Sequence, residues 1–489
     1  MALVERVLPL QPIRDLADYR ERLQGGRALE VATKVEAAAV IDELDAAGLR
    51  GRGGAGFPSG RKWRTVLDSR SDVVGTTVVV NGAEGEPGTF KDRAILRANP
   101  YGVLEGALVA ARVVGADTVV VALKASFTTE LARVRSALAE MADAGWTDGL
   151  TIDVFEGPSE YLYGEETALL EAIAGRPPFP RIAPPYRRGV DEVVTEPDEV
   201  ASDSGQAAGV EMAAEGSENL VPPTLVDNVE TLANVPMLAL KGSEWFRSVG
   251  TMESPGTIVC TITGRVARPG VAEIALGTTL REAIDEVAGG VREGHEVRAV
   301  LPGVSNALIP ADALDTPLTY EAMAAAGSGL GSAGYIVLDD SDDLVAVAAG
   351  ASRFLAIESC GQCTPCKEDG LEIARTLERI AASEADTHDL EQLLERAGTV
   401  TDGARCNLAA QQQAVAVSIT SIGSRAIAAH VEGDAPAAGR FLVAELTGLD
   451  EGGATIDGRH VGKQPDWTFN GLDSGQTPAD RLTDRRASA

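Results

Sequence analysis

Three cysteines spaced C-x2-C-x2-C place the strongest constraint on how this 489-residue chain can fold. They are Cys360, Cys363 and Cys366, whereas Cys260 and Cys406 lie elsewhere. Cysteines three apart give poor disulfide geometry and their number is odd, so they cannot all pair with one another. They can bind one face of a [4Fe–4S] cluster, for which Cys406 is the candidate fourth ligand. The alternatives are buried neighbouring thiols or zinc, which usually takes two C-x2-C pairs or histidines.

Composition limits the class of protein. The chain has 43 Lys and Arg against 73 Asp and Glu, a net charge of −30, which argues against nucleic acid or an anionic membrane surface as a partner. The first residues mix apolar and charged side chains, unlike a signal peptide, and the sequence has no uncharged apolar run of about 18 residues. With few cysteines as well, these features predict a protein of the reducing cytoplasm without direct membrane insertion.

A glycine-rich segment predicts a binding site for an anion or a flat ring. Residues 51–56 satisfy G-x-G-x-x-G, but a predicted helix precedes them instead of the strand of a Rossmann site. Glycines still let backbone N–H groups approach a ligand, and Lys62 can neutralise a phosphate. The alternative is a flexible surface loop, which the nearby Phe57 and Trp63 make less attractive.

The segments that follow alternate between strand and helix patterns. An apolar run at 77–80 ends in a polar, glycine-rich segment, as is usual for a ligand site at the carboxyl edge of a sheet. Further strands are predicted at 118–122 and 150–155, with helices at 101–114 and 129–144. This alternation predicts a doubly wound, mostly parallel α/β sheet.

Two adjacent acids, Glu165 and Glu166, open a further predicted helix. They either form a solvated helix start that the helix dipole favours or hydrogen-bond a sugar or polyol, and both interpretations stay open.

The second half of the chain predicts two more domains. Strand, turn, strand and helix patterns over 257–287, followed by later strands, are typical of a ubiquitin-like (β-grasp) domain. The all-helical pattern over 342–431, with its last helix at 409–429, predicts a four-helix bundle that holds the cluster at one end. The segment 191–219 has nine acids and no lysine or arginine, so it is predicted to be an exposed insertion.

Four collinear motifs together resemble the NADH-oxidising flavoprotein subunit of respiratory complex I. That family also includes diaphorase subunits of NAD-linked formate dehydrogenases and hydrogenases. The motifs are GLRGRGGAGFPSGRKW, NGAEGEPGTFKDR, YGEETALLEAI with VDNVETLANV, and ESCGQCTPC with Cys406. The resemblance implies FMN, a [4Fe–4S] cluster and NAD(H) as cofactors. The expected regions are an FMN/NAD-binding α/β domain (1–250), a β-grasp domain (251–340), the cluster-bearing bundle (341–432) and an extension of unassigned conformation (433–489).

The resemblance also assigns roles to residues by position. The residues expected to contact FMN are Gly51, Gly53, Lys62, Asn81, Glu84, Tyr161, Gly164, Glu165, Glu166, Val226 and Asn228. Those expected to contact the nicotinamide nucleotide are Gly54, Ala55, Phe57, Glu86 and Glu166, and the last two are the candidate catalytic residues. The implied cluster ligands are Cys360, Cys363, Cys366 and Cys406.

The chain departs from the family at several positions. Ala83 replaces an acid, and Asp227 replaces an asparagine, which adds a negative charge beside the flavin. Thr65, Ala183 and Tyr186 stand at the aromatic and lysine positions that hold the adenosine end. Loss of a stacking ring removes about 0.5–1.5 kcal/mol beyond burial. The dinucleotide site is therefore expected to be altered more than the FMN site.

Flavin and cluster together imply an NADH dehydrogenase or diaphorase-type oxidoreductase subunit. Nicotinamide exchanges a hydride, whereas clusters carry single electrons, and a flavin connects the two. The expected partners are a thioredoxin-like [2Fe–2S] subunit and a catalytic or iron–sulfur subunit of a formate dehydrogenase, a hydrogenase or complex I. The alternatives are a relay that takes electrons from a ferredoxin-like protein and an assembly subunit with a decayed flavin site. All four histidines lie outside the motifs and are predicted to be surface or satisfied core residues.

Overall fold

A computed structural model describes residues 3–71, 73–181, 223–450 and 452–463 of the chain. Ala183, Tyr186 and the acidic segment 191–219 lie outside the described residues, as does the extension beyond 463.

The N-terminal part of the chain forms a parallel four-stranded sheet with the order β3-β2-β1-β4. The sheet grows from β1 in one direction to β3 and then places β4 on the other side of β1. The crevice between β1 and β4 at their carboxyl ends is where doubly wound sheets bind ligands. The elements are α1 (Leu16–Leu23), α2 (Arg27–Lys34), α3 (Ala37–Ala47), α4 (Ser59–Asp68), β1 (Thr76–Gly82), α5 (Lys91–Ala98), α6 (Pro100–Val114), β2 (Ala116–Lys124), α7 (Thr128–Asp143), β3 (Thr151–Gly157), α8 (Glu166–Ile173), β4 (Thr224–Asn228) and α9 (Val229–Arg247).

Both faces of this sheet are buried, which explains the unbroken apolar run in β1. Val78 and Val80 point into the large core shared with α6 and α9, whereas Val79 points into a smaller core with α8. Helices on both faces are the condition for a fully parallel sheet. The predicted doubly wound sheet is therefore confirmed, with its helices where the sequence pattern placed them.

The second sheet is mixed and has five strands in the order β6-β5-β9-β7-β8. Its first and last long strands, β5 and β9, pair in parallel at the centre, as the β-grasp prediction requires. Cys260 lies on β5 in a buried core, which confirms its interpretation as a small hydrophobic residue. The elements are β5 (Thr257–Gly264), β6 (Gly270–Ala275), α10 (Leu280–Ala288), β7 (Val297–Leu301), β8 (Ile309–Pro310), α11 (Tyr320–Ala325) and β9 (Gly334–Asp339).

The helical region contains five helices instead of the four expected. The prediction of one helix over 409–429 is wrong, because the chain bends by 77° at Gly423. A Cβ on Gly423 would lie 2.5 Å from the Ile419 side chain, so the bend depends on the missing side chain. The helices are α12 (Leu344–Glu358), α13 (Thr364–Ala381), α14 (Thr387–Thr399), α15 (Leu408–Ile422) and α16 (Ser424–Glu432).

The chain after α16 returns across both the bundle and the first sheet, and we call residues 434–463 the return segment. It contains a hairpin of β10 (Leu446–Asp450) and β11 (Gly453–Ile456). Ala438 N donates to Ala381 O in the bundle, and Leu446 O accepts from Arg93 at 2.5 Å in the flavin-side loop. Lys124, fully buried at the end of β2, forms a 2.6 Å ion pair with Glu445. The return segment therefore ties the two regions together.

Across the described ranges, no single helix combines the length and apolar character needed to cross a bilayer. Only the bent pair of α15 and α16 meets that test jointly.

Candidate functional site

The glycine-rich loop between α3 and α4 lies beside the carboxyl end of β4. Its base is closed by a 2.8 Å hydrogen bond from Gly51 N to Phe57 O. Gly54 (φ +125°) and Gly56 (φ +64°) have backbone conformations that side chains other than glycine rarely adopt. A Cβ on Gly53 would lie 3.5 Å from the Asn228 side chain, which brings the loop against β4. Gly53, Ala55 and Phe57 are exposed, so the loop presents its backbone and one ring to a ligand.

The segment after β1 joins this edge to the short 3₁₀ turn Tyr161–Gly164. Asn81 Nδ2 donates to Gly164 O at 2.9 Å, and Asn81 Oδ1 accepts from Ala83 N at 3.2 Å. A Cβ on Gly164 would lie 2.9 Å from Ala83 O, so glycine permits this close approach. Asn81, Gly164 and the glycine-rich loop are thus brought to one edge of the sheet.

Asn228, at the end of β4, is oriented by buried charges. Its Oδ1 accepts from Lys91 Nζ at 3.0 Å, and its Nδ2 donates to Asp92 Oδ2 at 2.7 Å. Lys91 also contacts Glu230 at 3.1 Å. Burial would lower the pKa of Lys91, but the carboxylates of Asp92, Glu230 and Glu84 raise it, so the ammonium is kept. The amide of Asn228 is therefore fixed in one orientation.

Glu84 turns inward. Its carboxylate accepts from Arg93 Nε at 2.8 Å and from Asp92 N at 3.0 Å, at the start of α5. It thereby holds the loop after β1 against α5, and its expected contact with FMN stays a prediction.

Lys62 is held by acceptors on two sides. Its Nζ donates to Val226 O at 2.5 Å and contacts Glu166 Oε1 at 2.8 Å and Asp227 Oδ1 at 3.9 Å. Burial would lower the pKa of Lys62, but the two carboxylates raise it overall. Lys62, Glu166 and Val226, three predicted site residues, therefore come together at the crevice.

The two adjacent acids have different surroundings. Glu165 is the N-cap of α8, and its Oε2 accepts from Thr167 N at 3.0 Å and Ala168 N at 2.8 Å. Glu166 faces Lys62. The structure therefore favours the helix-start interpretation for Glu165 and gives Glu166 a charged partner in the crevice.

Glu86 connects the first sheet to the β-grasp region. Its carboxylate accepts from Tyr161 Oη and from Val304 N, both at 2.6 Å. Burial raises the pKa of Glu86, while these hydrogen bonds oppose the shift. Because both oxygens are already bonded, Glu86 has a fixed position, and its catalytic role stays a prediction.

The four predicted cluster ligands line one cavity. Its walls also include Leu162, Pro180 and Leu408, and the full set of cysteines is Cys360, Cys363, Cys366 and Cys406. Burial raises the pKa of Cys366 to about 11, so these thiols need a nearby positive charge, such as iron, to ionise. Lys367 Nζ beside them donates to Ala356 O and Ser359 O, each at 2.9 Å.

The spacing of the thiols fits a cluster better than zinc. A tetrahedral zinc site with Zn–S distances of about 2.3 Å puts its sulfur atoms roughly 3.8 Å apart. Among the described residues, these cysteines form no group of three whose sulfur atoms all lie within 4.8 Å of one another. A cavity with four well-separated thiols and apolar walls suits a [4Fe–4S] cube.

The 3₁₀ turn Tyr161–Gly164 borders both sites. Leu162 lines the cysteine cavity, while Tyr161 and Gly164 contact the segment after β1. Tyr161 N donates to Glu358 Oε2 at 3.1 Å, two residues before Cys360. The two sites are therefore one turn of backbone apart.

Sequence reasoning missed the residues that hold Glu358. Lys463 and His460, both on the return segment, lie 2.5 Å and 3.3 Å from its Oε1. Burial alone would raise the pKa of Glu358, but these two cations hold it well below its usual range. Glu358 belongs to the ESCGQCTPC motif and could have been noticed, whereas nothing in the sequence marks Lys463. His460 and His430 are buried and hydrogen-bonded, as expected of satisfied core histidines.

Comparison with known proteins agrees with this geometry. Residues 44–237 match the family model of the Nuo51 FMN-binding domain, 259–327 match the SLBB domain, and 346–427 match the NADH-ubiquinone oxidoreductase-F iron-sulfur binding region. Among similar solved structures is an NAD+-reducing [NiFe]-hydrogenase in the H2-reduced state, with a TM-score of 0.71 and 30% identity, covering 86% of this chain and 67% of that chain.

Curated relatives are similar over most of their length. An F-type component of NADH-quinone oxidoreductase from Rhizobium meliloti is 38% identical over 72% of this chain and 79% of its own. The F-type component of the same oxidoreductase from Mycobacterium tuberculosis is 34% identical over 86% of this chain and 91% of its own. The expected cofactors, FMN, a [4Fe–4S] cluster and NADH, and the expected NADH dehydrogenase-type activity are confirmed by these matches. The chain belongs to the family of NADH-oxidising oxidoreductase subunits that carry FMN and a [4Fe–4S] cluster.

Proposed function

We propose that this chain exchanges hydride between NAD(H) and FMN and passes single electrons through its [4Fe–4S] cluster to or from a partner subunit. FMN supplies the step between two-electron and one-electron transfer. The domains proposed for this work are 1–250 for the nucleotides, 251–340 for the β-grasp unit, 341–432 for the cluster and 433–489 for the extension.

The observation that carries this proposal is the shared 3₁₀ turn. Leu162 lines the cavity of the cysteines, and Gly164 hydrogen-bonds Asn81 at the sheet edge. Electron transfer between two groups requires that they be near each other, and a common turn supplies that proximity. The turn is also fixed from both sides, by Glu86 and by Glu358.

In this proposal the chain's own residues bind and orient. The exposed backbone of Gly53 and Ala55 and the fixed amide of Asn228 hold FMN, and the half-exposed ring of Phe57 receives the nicotinamide nucleotide. Lys62, held by Glu166, supplies positive charge at the crevice. Glu86 and Glu166 are the acids closest to the proposed nucleotide position.

The proposed partners are a thioredoxin-like [2Fe–2S] subunit and a catalytic or iron–sulfur subunit. The likeness to the NAD+-reducing hydrogenase supports a hydrogenase-type setting, with formate dehydrogenase and complex I as the other settings. We also propose a cytoplasmic location, which the five free cysteines support.

The test is an anaerobic reductive titration of the purified chain, with FMN and iron first confirmed by absorbance and metal analysis. Near-stoichiometric NADH should bleach the flavin band, and NADPH in a parallel titration defines the nucleotide. A flavin that dithionite reduces but neither nucleotide reduces would contradict hydride exchange by this chain.

The second candidate is a relay that receives electrons from a ferredoxin-like protein. Thr65 favours it, because this side chain donates to Arg61 O at 2.9 Å and offers no ring to an adenine. A relay would keep both cofactors and be reduced by ferredoxin instead of NADH, so the same titration with reduced ferredoxin distinguishes the two.

A further inference from the structure

Strand β4 carries a buried carboxylate that the proposed function does not use. Asp227 lies between Val226 and Asn228, both expected to contact FMN, and its side chain is 4% exposed. Its Oδ2 accepts from Trp63 Nε1 at 2.7 Å, which fixes the carboxylate at the base of the crevice. A buried charge in this position acts on whatever the crevice binds, because little water screens it.

The charges around Asp227 do not cancel. Lys62 Nζ is 3.9 Å from Asp227 and only 2.8 Å from Glu166, so one ammonium serves two carboxylates. No other ion pair of either acid exists in the part of the chain that the structure describes. The next acid on the chain, Glu230, faces Lys91 instead. With both acids ionised, the group formed by Lys62, Glu166 and Asp227 carries one net negative charge.

We propose that Asp227 lowers the midpoint potential of the bound flavin and takes up a proton when the flavin is reduced. The proposal rests on the proposed function, since it requires FMN in this crevice. Electrons added beside a buried anion are repelled, and protonation of that anion relieves the repulsion. The electrons come from NADH or from the partner subunit, and the proton that bonds to the Asp227 carboxylate comes from solvent.

The ionisation of Asp227 is suited to this role. Burial raises its pKa to about 6, with Lys62 and the Trp63 hydrogen bond opposing the rise and Glu166 adding to it. Asp227 is therefore mostly ionised near neutral pH. An added electron in the crevice raises its pKa further, which brings protonation into the range where the enzyme works.

The consequence concerns the direction of the reaction. A flavin of lower potential gives up hydride to NAD+ more readily and accepts it from NADH less readily. Asp227 therefore favours the reduction of NAD+ by electrons that arrive from the partner subunit through the cluster.

The test is a potentiometric titration of the FMN absorbance in the full chain with both cofactors bound, comparing wild type with Asp227→Asn. Asparagine keeps the size of the side chain and an oxygen that accepts from Trp63. At about pH 8 and a fixed potential, Asp227→Asn should raise the ratio of reduced to oxidised flavin about tenfold, which equals about 30 mV for a two-electron couple. The difference should shrink below about pH 6, where wild-type Asp227 is protonated.

Asp42→Asn is the matched control. Asp42 pairs with Arg64 on α4 and is 71% exposed, so its loss removes the same formal charge with solvent screening. Its flavin potential should stay at the wild-type value, and a shift equal to that of Asp227→Asn would overturn the proposal by showing a nonspecific charge effect.

Two failures are distinguishable. Equal potentials in wild type and Asp227→Asn at every pH, with FMN fully bound, overturn this inference and leave the proposed function intact. A wild-type chain that binds no FMN overturns the proposed function itself.

If Asp227→Asn does not fold, Trp63→Phe replaces it. That variant keeps the carboxylate but removes a donor that stabilises its charged form, so the pH at which the flavin potential changes slope should move upward. An unchanged slope would contradict the role of Asp227.

Discussion

The flavin side and the cluster side of this molecule use opposite means to build a site. On the flavin side, buried ion pairs such as Lys91 with Glu230 and Arg93 with Glu84 orient neutral polar groups at the sheet edge. On the cluster side, the walls are mostly apolar, and the nearby Lys367 is bonded to backbone carbonyls. Many partial contributions build the first site, whereas four thiols alone supply the ligands of the second. Substitutions should therefore have graded effects on FMN and all-or-none effects on iron.

The largest effect is expected on the cluster side. Cys406→Ala should abolish the [4Fe–4S] cluster, because three thiolates leave one iron without a protein ligand. Iron content and the cluster's absorbance measure the loss, and FMN reduction by NADH should remain. Cys260→Ala is the matched control, since this buried cysteine lies in the β-grasp core. Full iron content in Cys406→Ala would show that the cavity does not need its fourth thiol.

The ion pair of Lys124 and Glu445 tests whether the two sides depend on each other. Glu445→Gln leaves the fully buried Lys124 without its charged partner, and breaking such a pair costs about 3–5 kcal/mol. The thermal midpoint should fall, and both cofactors should be lost more easily. Glu156→Gln removes the exposed pair with Arg135 and should change stability by less than about 1 kcal/mol. Equal midpoints for the two variants would mean that the return segment does not stabilise the sheet.

The third prediction concerns pH and Asp227. An acid whose pKa rises from 3.8 unfolded to about 6 folded destabilises the protein when it is ionised. Wild type should therefore lose about 3 kcal/mol of stability as pH rises from below 4 to above 6, an order-of-magnitude figure. Asp227→Asn should lack this contribution. Thermal midpoints of the two proteins at about pH 5 and pH 8 measure it, and parallel pH profiles would refute it.

The smallest effect is expected in the glycine-rich loop. Gly56→Ala forces a side chain onto a backbone with φ +64° and places its Cβ 2.5 Å from the Tyr320 ring. The strain costs roughly 1–2 kcal/mol, so FMN should bind several-fold more weakly in an absorbance or fluorescence titration. Gly175→Ala has similar strain at φ +76° and open space around its Cβ, so it should leave FMN affinity unchanged. Equal affinities in both variants would remove the loop from the flavin site.

The sequence predicted most of the architecture because local patterns determine it. The run Val78–Val80 needs cover on both faces, which is typical of a parallel sheet, and the cysteine spacing fits a cluster whatever the fold. The return segment could not be predicted in this way. Its contacts join residues more than 100 positions apart, such as Lys463 with Glu358, and neither belongs to a periodic pattern.

The site was predicted as a set of residues and not as an arrangement. The motifs brought Lys62, Glu166 and Asn228 together correctly, but only coordinates show that Lys62 faces carboxylates. The break at Gly423 was missed for a related reason. One glycine in a helical pattern is tolerated, and the bend depends on how closely Ile419 packs against it.

The return segment also gives the molecule an order in time. Lys124 and Glu358 emerge from the ribosome well before their partners, Glu445 and Lys463, which are among the last described residues to be synthesised. N-terminal regions fold first during synthesis, so the sheet and the bundle meet solvent before this cover exists. The cysteines and the turn at Tyr161 pass through an interval in which the contacts to Glu358 from the return segment are missing. Translation therefore sets the earliest moment at which the path between flavin and cluster can be sealed.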